Sequence, residues 1–219
     1  MHKVFMFKKV ASTINGGLTQ TSKMPCRSYS LPTEACKTGF KMAQIPGSIC
    51  SVCYADRGFY SMYANTIKPA QFSRLDSITD PMWADAIANS IGDDLYFRWH
   101  DSGDIQSIYH LEKIIHVCKL TPNTMHWLPT REYGIVKTYI EKHGRGSIPE
   151  NLVIRLSAMY VDQAVVIPKS LQGIRGITAS NVHKIIPIGN RCIAPDQNGE
   201  CRDCRECWNP DTVTSYAVH

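Results

Sequence analysis

The sequence predicts a single α/β domain built on a parallel sheet, either a partial (β/α) barrel or an open sheet. Short apolar runs typical of buried strands lie at 95–99, 125–128, 152–156 and 174–179, and they alternate with segments of helical periodicity. Strands that alternate with helices pair in parallel, because the chain crosses back over the sheet between them. A length of 219 residues favours one such domain over two.

Helices are predicted between and before these strands. Asp80 and Pro81 are favoured at a helix start and predict a helix that ends before Gly92. Apolar residues recur at three- and four-residue intervals from 108 to 118, which predicts a helix between the first two strands, and 133–143 predicts the next one.

The chain divides into a central core and two cysteine-rich flanks within one domain, 1–219. Residues 1–55 are a loop-rich segment with the first cysteine group, because Gly, Ser, Thr and Pro are frequent from 11 to 47 and little regular structure is expected there. Residues 93–180 form the β/α core, and residues 190–210 carry the C-terminal cysteine group.

Seven of the nine cysteines fall into two groups, which indicates metal binding. The C-x-x-C-x-x-C spacing at 201–207 is more frequent in iron–sulfur proteins than in zinc ribbons. Zinc remains an alternative metal for either group. Cys26 and Cys118 are the spare thiols. A single four-cysteine site shared between the groups is a further alternative. The expected metal ligands are Cys36, Cys50, Cys53, Cys192, Cys201, Cys204 and Cys207.

If the protein is cytoplasmic, metal binding accounts for the grouped cysteines better than disulfide bonds do. Met1–Val10 lacks the long apolar stretch of a signal peptide, and no window is long and apolar enough for a membrane-spanning helix, so no membrane partner is expected. A cytosol keeps thiols reduced. The formal net charge of +5 is spread along the chain and permits a nucleic-acid partner without requiring one.

Polar residues follow the predicted strands, where parallel α/β proteins place catalytic and binding groups. The loop after the first strand contains His100, Asp101 and Asp104. His100 could move protons near neutral pH while Asp101 or Asp104 orients it, so the three are candidate catalytic residues. A capped turn before the next helix explains the acidic residues equally simply.

Other polar residues around these loops are candidate ligands of a bound molecule. Arg131 follows the second strand, where its guanidinium suits a carboxylate or phosphate as a fourth catalytic candidate, or forms a surface ion pair. Arg98 and Ser102 are candidate binding residues. Tyr54 follows Cys53 and Trp208 follows Cys207; both aromatic residues either shield a cluster from solvent or pack in the core.

Four motifs resemble the phage family known as gene product 88. They are Lys-Met-Pro at 23–25, Cys-x-x-Cys-Tyr-Ala at 50–55, His-Asp-Ser-Gly-Asp at 100–104 and Cys-x-x-Cys-x-x-Cys-Trp at 201–208. The family resemblance alone does not imply an activity.

The order of these motifs is also similar to radical-SAM-like phage proteins. That likeness implies a partial barrel, a 4Fe-4S cluster held by Cys36, Cys50 and Cys53, and S-adenosylmethionine (SAM) as a candidate cofactor. Here thirteen residues separate Cys36 from Cys50, where the usual radical-SAM spacing has three.

Two functional hypotheses follow. The first is a cytoplasmic iron–sulfur protein that acts as an enzyme on a small molecule or nucleotide beside the cluster, with His100 and Asp101 handling protons. The second is a non-catalytic module, stabilised by zinc or a cluster, that binds nucleic acid or a host protein.

Overall fold

One open, mostly parallel sheet forms the centre of the protein. The computed structural model describes residues 3–57 and 59–218. Within them the strands lie in the order β1-β2-β3-β4-β5-β6-β8-β7, with β1 antiparallel to β2 and every other neighbouring pair parallel. The fold class is confirmed in its open-sheet form, because β1 and β7 are free edges and no barrel closes. The strands are β1 Thr19–Gln20, β2 Arg27–Tyr29, β3 Tyr96–Trp99, β4 Met125–Thr130, β5 Leu152–Ser157, β6 Ile177–His183, β7 Asn190–Arg191 and β8 Thr214–Ala217.

Seven α-helices accompany the sheet in the described part of the chain. They are too short or too polar to span a bilayer. The three predicted helices of the core are confirmed as α5, α6 and α7, which pack side by side. Asp80 lies before α5, where its carboxylate accepts a hydrogen bond from the Met82 amide (2.7 Å). The helices are α1 Lys8–Asn15, α2 Lys37–Ala43, α3 Phe59–Met62, α4 Ala64–Ser77, α5 Trp83–Ile91, α6 Ile108–Leu120 and α7 Tyr133–His143.

The two faces of the sheet carry different layers. Side chains alternate along a strand, so Phe97 and Trp99 of β3 pack in the main core with the helices. On the opposite face Trp127 of β4 packs with Cys26, Cys207 and Trp208 in a second, smaller core. The C-terminal cysteine segment therefore covers the face that the helices leave free.

The N-terminal third has more regular structure than the sequence predicts. It contains α1, α2 and β2, the last of which pairs in parallel with β3. The Tyr29 side chain is fully buried, and its hydroxyl lies 2.8 Å from the Arg74 carbonyl oxygen and accepts a hydrogen bond from Trp83 Nε1 (3.0 Å). The strand β2 has only three residues, which is too short for a periodic pattern to be visible in the sequence. It therefore depends on partners that are far away in the chain. The predicted strand at 174–179 is displaced to Ile177–His183, and β8 was missed.

Arg155 of β5 fixes the C-terminal segment to the sheet. Its side chain is fully buried, and its guanidinium donates to the carbonyl oxygens of Cys207 (2.9 Å) and Ala179 (3.1 Å). A buried charge is costly unless hydrogen bonds compensate it. Most of this compensation comes from backbone carbonyls of the C-terminal segment, with further acceptors at Glu206 (2.6 Å), Asn209 (2.7 Å) and Thr212 (2.8 Å).

We expect Arg155→Met to lower the free energy of unfolding by about 3–5 kcal/mol, because it leaves several buried carbonyls without a donor. Chemical denaturation measures the change. The matched control is Arg175→Met, which removes an exposed arginine paired with Glu150 and should cost less than about 1 kcal/mol. Equal stability of the two variants would contradict the anchoring role of Arg155.

Candidate functional site

A cavity of about 570 Å³ lies at the carboxyl ends of the central parallel strands. His100, Arg131 and Ala158 follow β3, β4 and β5 and line it. Ser180 and Asn181 of β6 complete this side. The volume is within the range of small-molecule sites, and the position is the one that parallel α/β sheets use for binding.

The first cysteine group forms the opposite wall of the cavity. Cys36 precedes α2, Cys50 begins a short 3₁₀ turn, Cys50–Val52, and Cys53 follows it. Burial raises the pKa of all three thiols, whereas the positive charge of Arg131 lowers it. Cys53 and Cys50 each raise the pKa of Cys36 further, which indicates that the three thiols are electrostatic neighbours.

Three tethers hold this wall over the strand ends. The Glu132 carboxylate, after β4, accepts hydrogen bonds from the Thr38 amide (2.7 Å) and hydroxyl (3.0 Å). The Ile49 amide donates to the Met159 carbonyl after β5 (2.9 Å), and the Tyr54 hydroxyl donates to the Asp101 carbonyl after β3. Cysteines remote in sequence are thereby brought to one edge of the sheet.

A glycine keeps space open between two of these thiols. A Cβ atom at Gly39 would lie 3.1 Å from Cys36 Cβ and 3.6 Å from the Sγ atoms of both Cys36 and Cys50. Any side chain at this position would therefore enter the space beside the two thiols. The described residues contain no group of three or more His, Cys, Asp or Glu side chains that could hold a metal ion.

Asp101 and Asp104 serve the architecture of the His100 loop. Asp101 accepts hydrogen bonds from the Ser28 hydroxyl (2.7 Å) and the Tyr60 hydroxyl (2.6 Å). Asp104 accepts from the Thr130 hydroxyl (2.6 Å) and from the backbone amide of Arg131 (2.8 Å). Burial raises the pKa of Asp104 to about 6, against these hydrogen bonds, which lower it.

His100 faces the cavity without a hydrogen-bond partner among the described residues. It is 3% exposed, both ring nitrogens are buried, and neither has a donor or acceptor. The prediction that Asp101 or Asp104 orients His100 is wrong, because both carboxylates are engaged elsewhere. Burial, assisted by the charge of Arg98, lowers the pKa of His100 to about 3, so the ring is neutral at pH 7. Its backbone φ of 50° is unusual for a residue other than glycine.

Arg131 is held in place by hydrogen bonds, but its positive charge is not paired with a carboxylate among the described residues. Its backbone amide donates to Asp104, and its Nε donates to the Ala158 carbonyl (3.1 Å). In the described part of the chain, neither terminal nitrogen of its guanidinium has a hydrogen-bond acceptor, and no carboxylate forms an ion pair with it. The surface ion pair that the sequence left open is therefore not formed there.

The remaining predicted binding residues also line the cavity. Arg98 donates to the Tyr54 hydroxyl (3.1 Å), and its guanidinium carbon lies 4.4 Å from the centre of the Trp127 ring. The pKa of Arg98 is raised by Tyr54 and Asp101, although burial lowers it. The Ser102 hydroxyl instead donates to the Leu31 carbonyl (2.8 Å) and so joins the N-terminal segment to the loop.

The second cysteine group lies elsewhere, in the segment that covers the helix-free face of the sheet. Burial raises the pKa of Cys192, and the neighbouring Cys204 thiol raises it further. The pKa of Cys201 is likewise raised by the neighbouring thiols of Cys192 and Cys204. The pKa of Cys207 is raised by the Cys192 thiol, in addition to burial. None of these four thiols lines the cavity. Trp208 beside them is buried and donates to the Phe97 carbonyl (3.0 Å), as a core aromatic does.

Sequence reasoning missed three residues of these sites. Glu132 and Tyr60 act through tethers to remote segments, which no local pattern reveals. The sequence predicts Cys26 as a spare thiol, whereas in the structure it packs in the second core with Cys207 and is an electrostatic neighbour of Cys201. Cys118, the other thiol predicted to be spare, is fully buried in the main core.

Fold and site define an open parallel α/β protein with a thiol-lined cavity at its strand ends. A family model described as gene product 88 matches residues 6–210, and the chain belongs to this family. No curated protein and no solved structure matches the chain. Nothing in the comparisons supports the likeness to radical-SAM-like proteins.

We expect Gly103→Ala to be destabilising by about 1–3 kcal/mol, because a Cβ there would lie 2.5 Å from Leu31 Cβ at a φ of +80°. Gly134→Ala is the matched control, since a Cβ at that position in α7 has no atom within 4 Å. Thermal or chemical unfolding of both variants measures the difference. Equal stability would show that the close approach of Leu31 to the His100 loop is relaxed in solution.

Mild acid should destabilise the protein through its buried histidines. Burial lowers the pKa of His126 to about 3, as for His100, and holds that of His110 well below its ordinary value. Below about pH 6.5 the unfolded chain binds protons that the folded protein does not, which costs about 1.4 kcal/mol per pH unit for each residue. Asp104, with its raised pKa, offsets part of this loss below about pH 6.

His126→Gln isolates one contribution to this acid sensitivity. Urea unfolding at about pH 7 and about pH 5 should show a loss of stability that is smaller in the variant by about 2 kcal/mol. His126 lies outside the cavity, and Gln retains a polar group for the Thr121 hydroxyl, which lies 2.8 Å from the imidazole Nε2. An unchanged pH dependence would mean that His126 is protonated in the folded protein.

Proposed function

We propose that this protein is an intracellular iron–sulfur enzyme that acts on a small molecule or nucleotide bound in the cavity. Cys36, Cys50 and Cys53 would hold the cluster. The proposal depends on one observation: these three thiols line the same cavity as His100, a buried imidazole whose two ring nitrogens have no partner among the described residues. Buried polar groups without partners are rare and often belong to functional sites.

The donor set fits a cluster better than a single zinc ion. Around zinc, four ligands converge on one centre, whereas the cysteines of an iron–sulfur cluster bind different irons and stand farther apart. The cavity wall supplies three cysteines that are electrostatic neighbours, one fewer than a structural zinc site uses, and Gly39 leaves room beside two of them. The Arg131 charge nearby favours the thiolate form that either metal requires.

Three protein ligands would leave one iron of a 4Fe-4S cluster open to act as a Lewis acid or electron donor. The protein's own contribution is to bind and orient the substrate beside it. Neutral His100 can accept a proton at one ring nitrogen and donate at the other. Asp101 and Asp104 position the loop and Arg131, so they are better described as positioning residues than as proton carriers.

The C-terminal cysteines would hold a second metal centre of structural character. Cys192, Cys201 and Cys204 are mutual neighbours that lie apart from the cavity. The segment that carries them contains the two-residue strand β7 and two 3₁₀ turns, and it has little core of its own. A bound metal would therefore make this segment more rigid. Zinc is the alternative at this centre, and the non-catalytic module that binds nucleic acid or a host protein is the alternative function.

SAM remains a candidate cofactor only through the sequence likeness described above. The cavity has the volume for a nucleoside-sized molecule beside a cluster wall. Its use would be tested by adding SAM to the reduced, iron-loaded protein and measuring its cleavage.

Anaerobic purification with iron, sulfide and zinc quantification tests the proposal. We expect a brown protein with stoichiometric iron and sulfide, because thiolate-to-iron charge transfer absorbs visible light. Cys50→Ala should lose the iron of the cavity, whereas Cys118→Ala, which removes a spare buried thiol, should retain it. Circular dichroism of both variants checks that folding is intact.

The alternatives have distinct outcomes in the same experiment. A colourless protein with stoichiometric zinc would support the structural module. Iron that persists undiminished in Cys50→Ala would place the cluster outside the cavity and refute the proposal as stated.

A further inference from the structure

The carboxylates of the cavity wall are satisfied inside the protein, whereas its two arginines form no ion pair among the described residues. Asp101 and Asp104 each accept hydrogen bonds from side chains or backbone amides. Glu34, nearer the mouth, is paired with Lys68, and Asp56 accepts from the Thr33 hydroxyl (2.5 Å). Arg98 donates to the Tyr54 hydroxyl (3.1 Å) and to the Met24 sulfur (3.2 Å), although its Nε is buried without an acceptor. The terminal nitrogens of Arg131 have no acceptor at all within the described residues.

The protein fixes Arg131 in a way that leaves the outer edge of its guanidinium available. The backbone amide is held by Asp104, and Nε is held by the Ala158 carbonyl. The two remaining nitrogens form the fork that matches the two oxygens of a carboxylate or phosphate. A side chain ordered before binding loses less entropy when the ligand arrives, so this arrangement favours affinity.

Other groups of the cavity could receive the rest of such a ligand. The His100 and Trp127 rings line the cavity, and their unpartnered nitrogens are buried just beneath its surface. Both side chains are more than nine-tenths buried. The Ser157 hydroxyl at the end of β5 and the Ser180 hydroxyl in the middle of β6, 3.4 Å apart, add further hydrogen-bonding groups.

We propose that the cavity binds a small molecule bearing a carboxylate or phosphate group, and that the Arg131 guanidinium holds this anion while His100 contacts the remainder. The inference rests on the proposed function in taking the cavity as the working site, and it names the substrate class. Arg131 as a mere counterion of the thiolates is the competing explanation, since its charge also lowers the pKa of Cys50.

The test follows the arginine side-chain N–H resonances by NMR while the purified protein is titrated with inorganic phosphate and, separately, malonate at constant ionic strength. We expect saturable shifts of the Arg131 resonance, which is identified by its absence in Arg131→Gln. The affinity of the responding anion should fall at least about tenfold in Arg131→Gln, as for the loss of one charge-assisted bidentate contact. Malonamide, the neutral analogue of malonate, should not bind.

Arg145→Gln is the matched control. Arg145 donates through both terminal nitrogens to the carbonyls of Ser170 (3.0 Å) and Gln172 (2.6 Å), and it does not line the cavity. Its replacement should leave anion affinity unchanged. Stronger binding of phosphate indicates a phosphate ester as ligand, and stronger binding of malonate indicates a carboxylic acid.

Two results overturn the inference. One is that neither anion binds to the wild-type protein, and the other is that the responding anion binds equally well to Arg131→Gln. Loss of iron from Arg131→Gln together with unchanged anion affinity would establish the counterion explanation. Iron and sulfide are measured on every sample, so anion binding by an iron-free protein would refute the cluster proposal and leave this inference standing.

Discussion

The buried guanidinium of Arg155 is the interaction on which the helix-free side of the protein depends. Its charge cannot be hydrated at 0% exposure, so it requires the carbonyls that residues 206–212 supply. That requirement keeps the C-terminal segment on the sheet. Cys207 and Trp208 are placed by the same contacts, and the sheet then continues through β8, whose Tyr216 lines the cavity.

A second constraint arises at the carboxyl ends of the parallel strands. The loops that follow these strands expose polar groups that need partners. Glu132, Met159 and Asp101 supply those contacts to the cysteine-bearing wall. One set of hydrogen bonds thus completes the strand ends and brings the thiols opposite His100. In this region the same hydrogen bonds therefore stabilise the fold and determine the geometry of the candidate site.

Much of the core could be predicted from the sequence, because long periodic segments such as α6 and α7 carry their own signal. The three-residue strand β2 carries none and forms only because β3 is beside it. At the candidate site, the structure brings the residues after the predicted strands and the first cysteine group to one cavity. The protonation chemistry was not predictable, since the pKa of His100 depends on burial and on Arg98, both consequences of tertiary structure.

The strand order has a consequence for how the chain is made. β8 lies between β6 and β7, so each of those strands lacks a neighbour until the last strand has left the ribosome. The C-terminal cysteines emerge before the strand that orders their surroundings. During synthesis they therefore pass through an interval in which their thiols are accessible to other molecules.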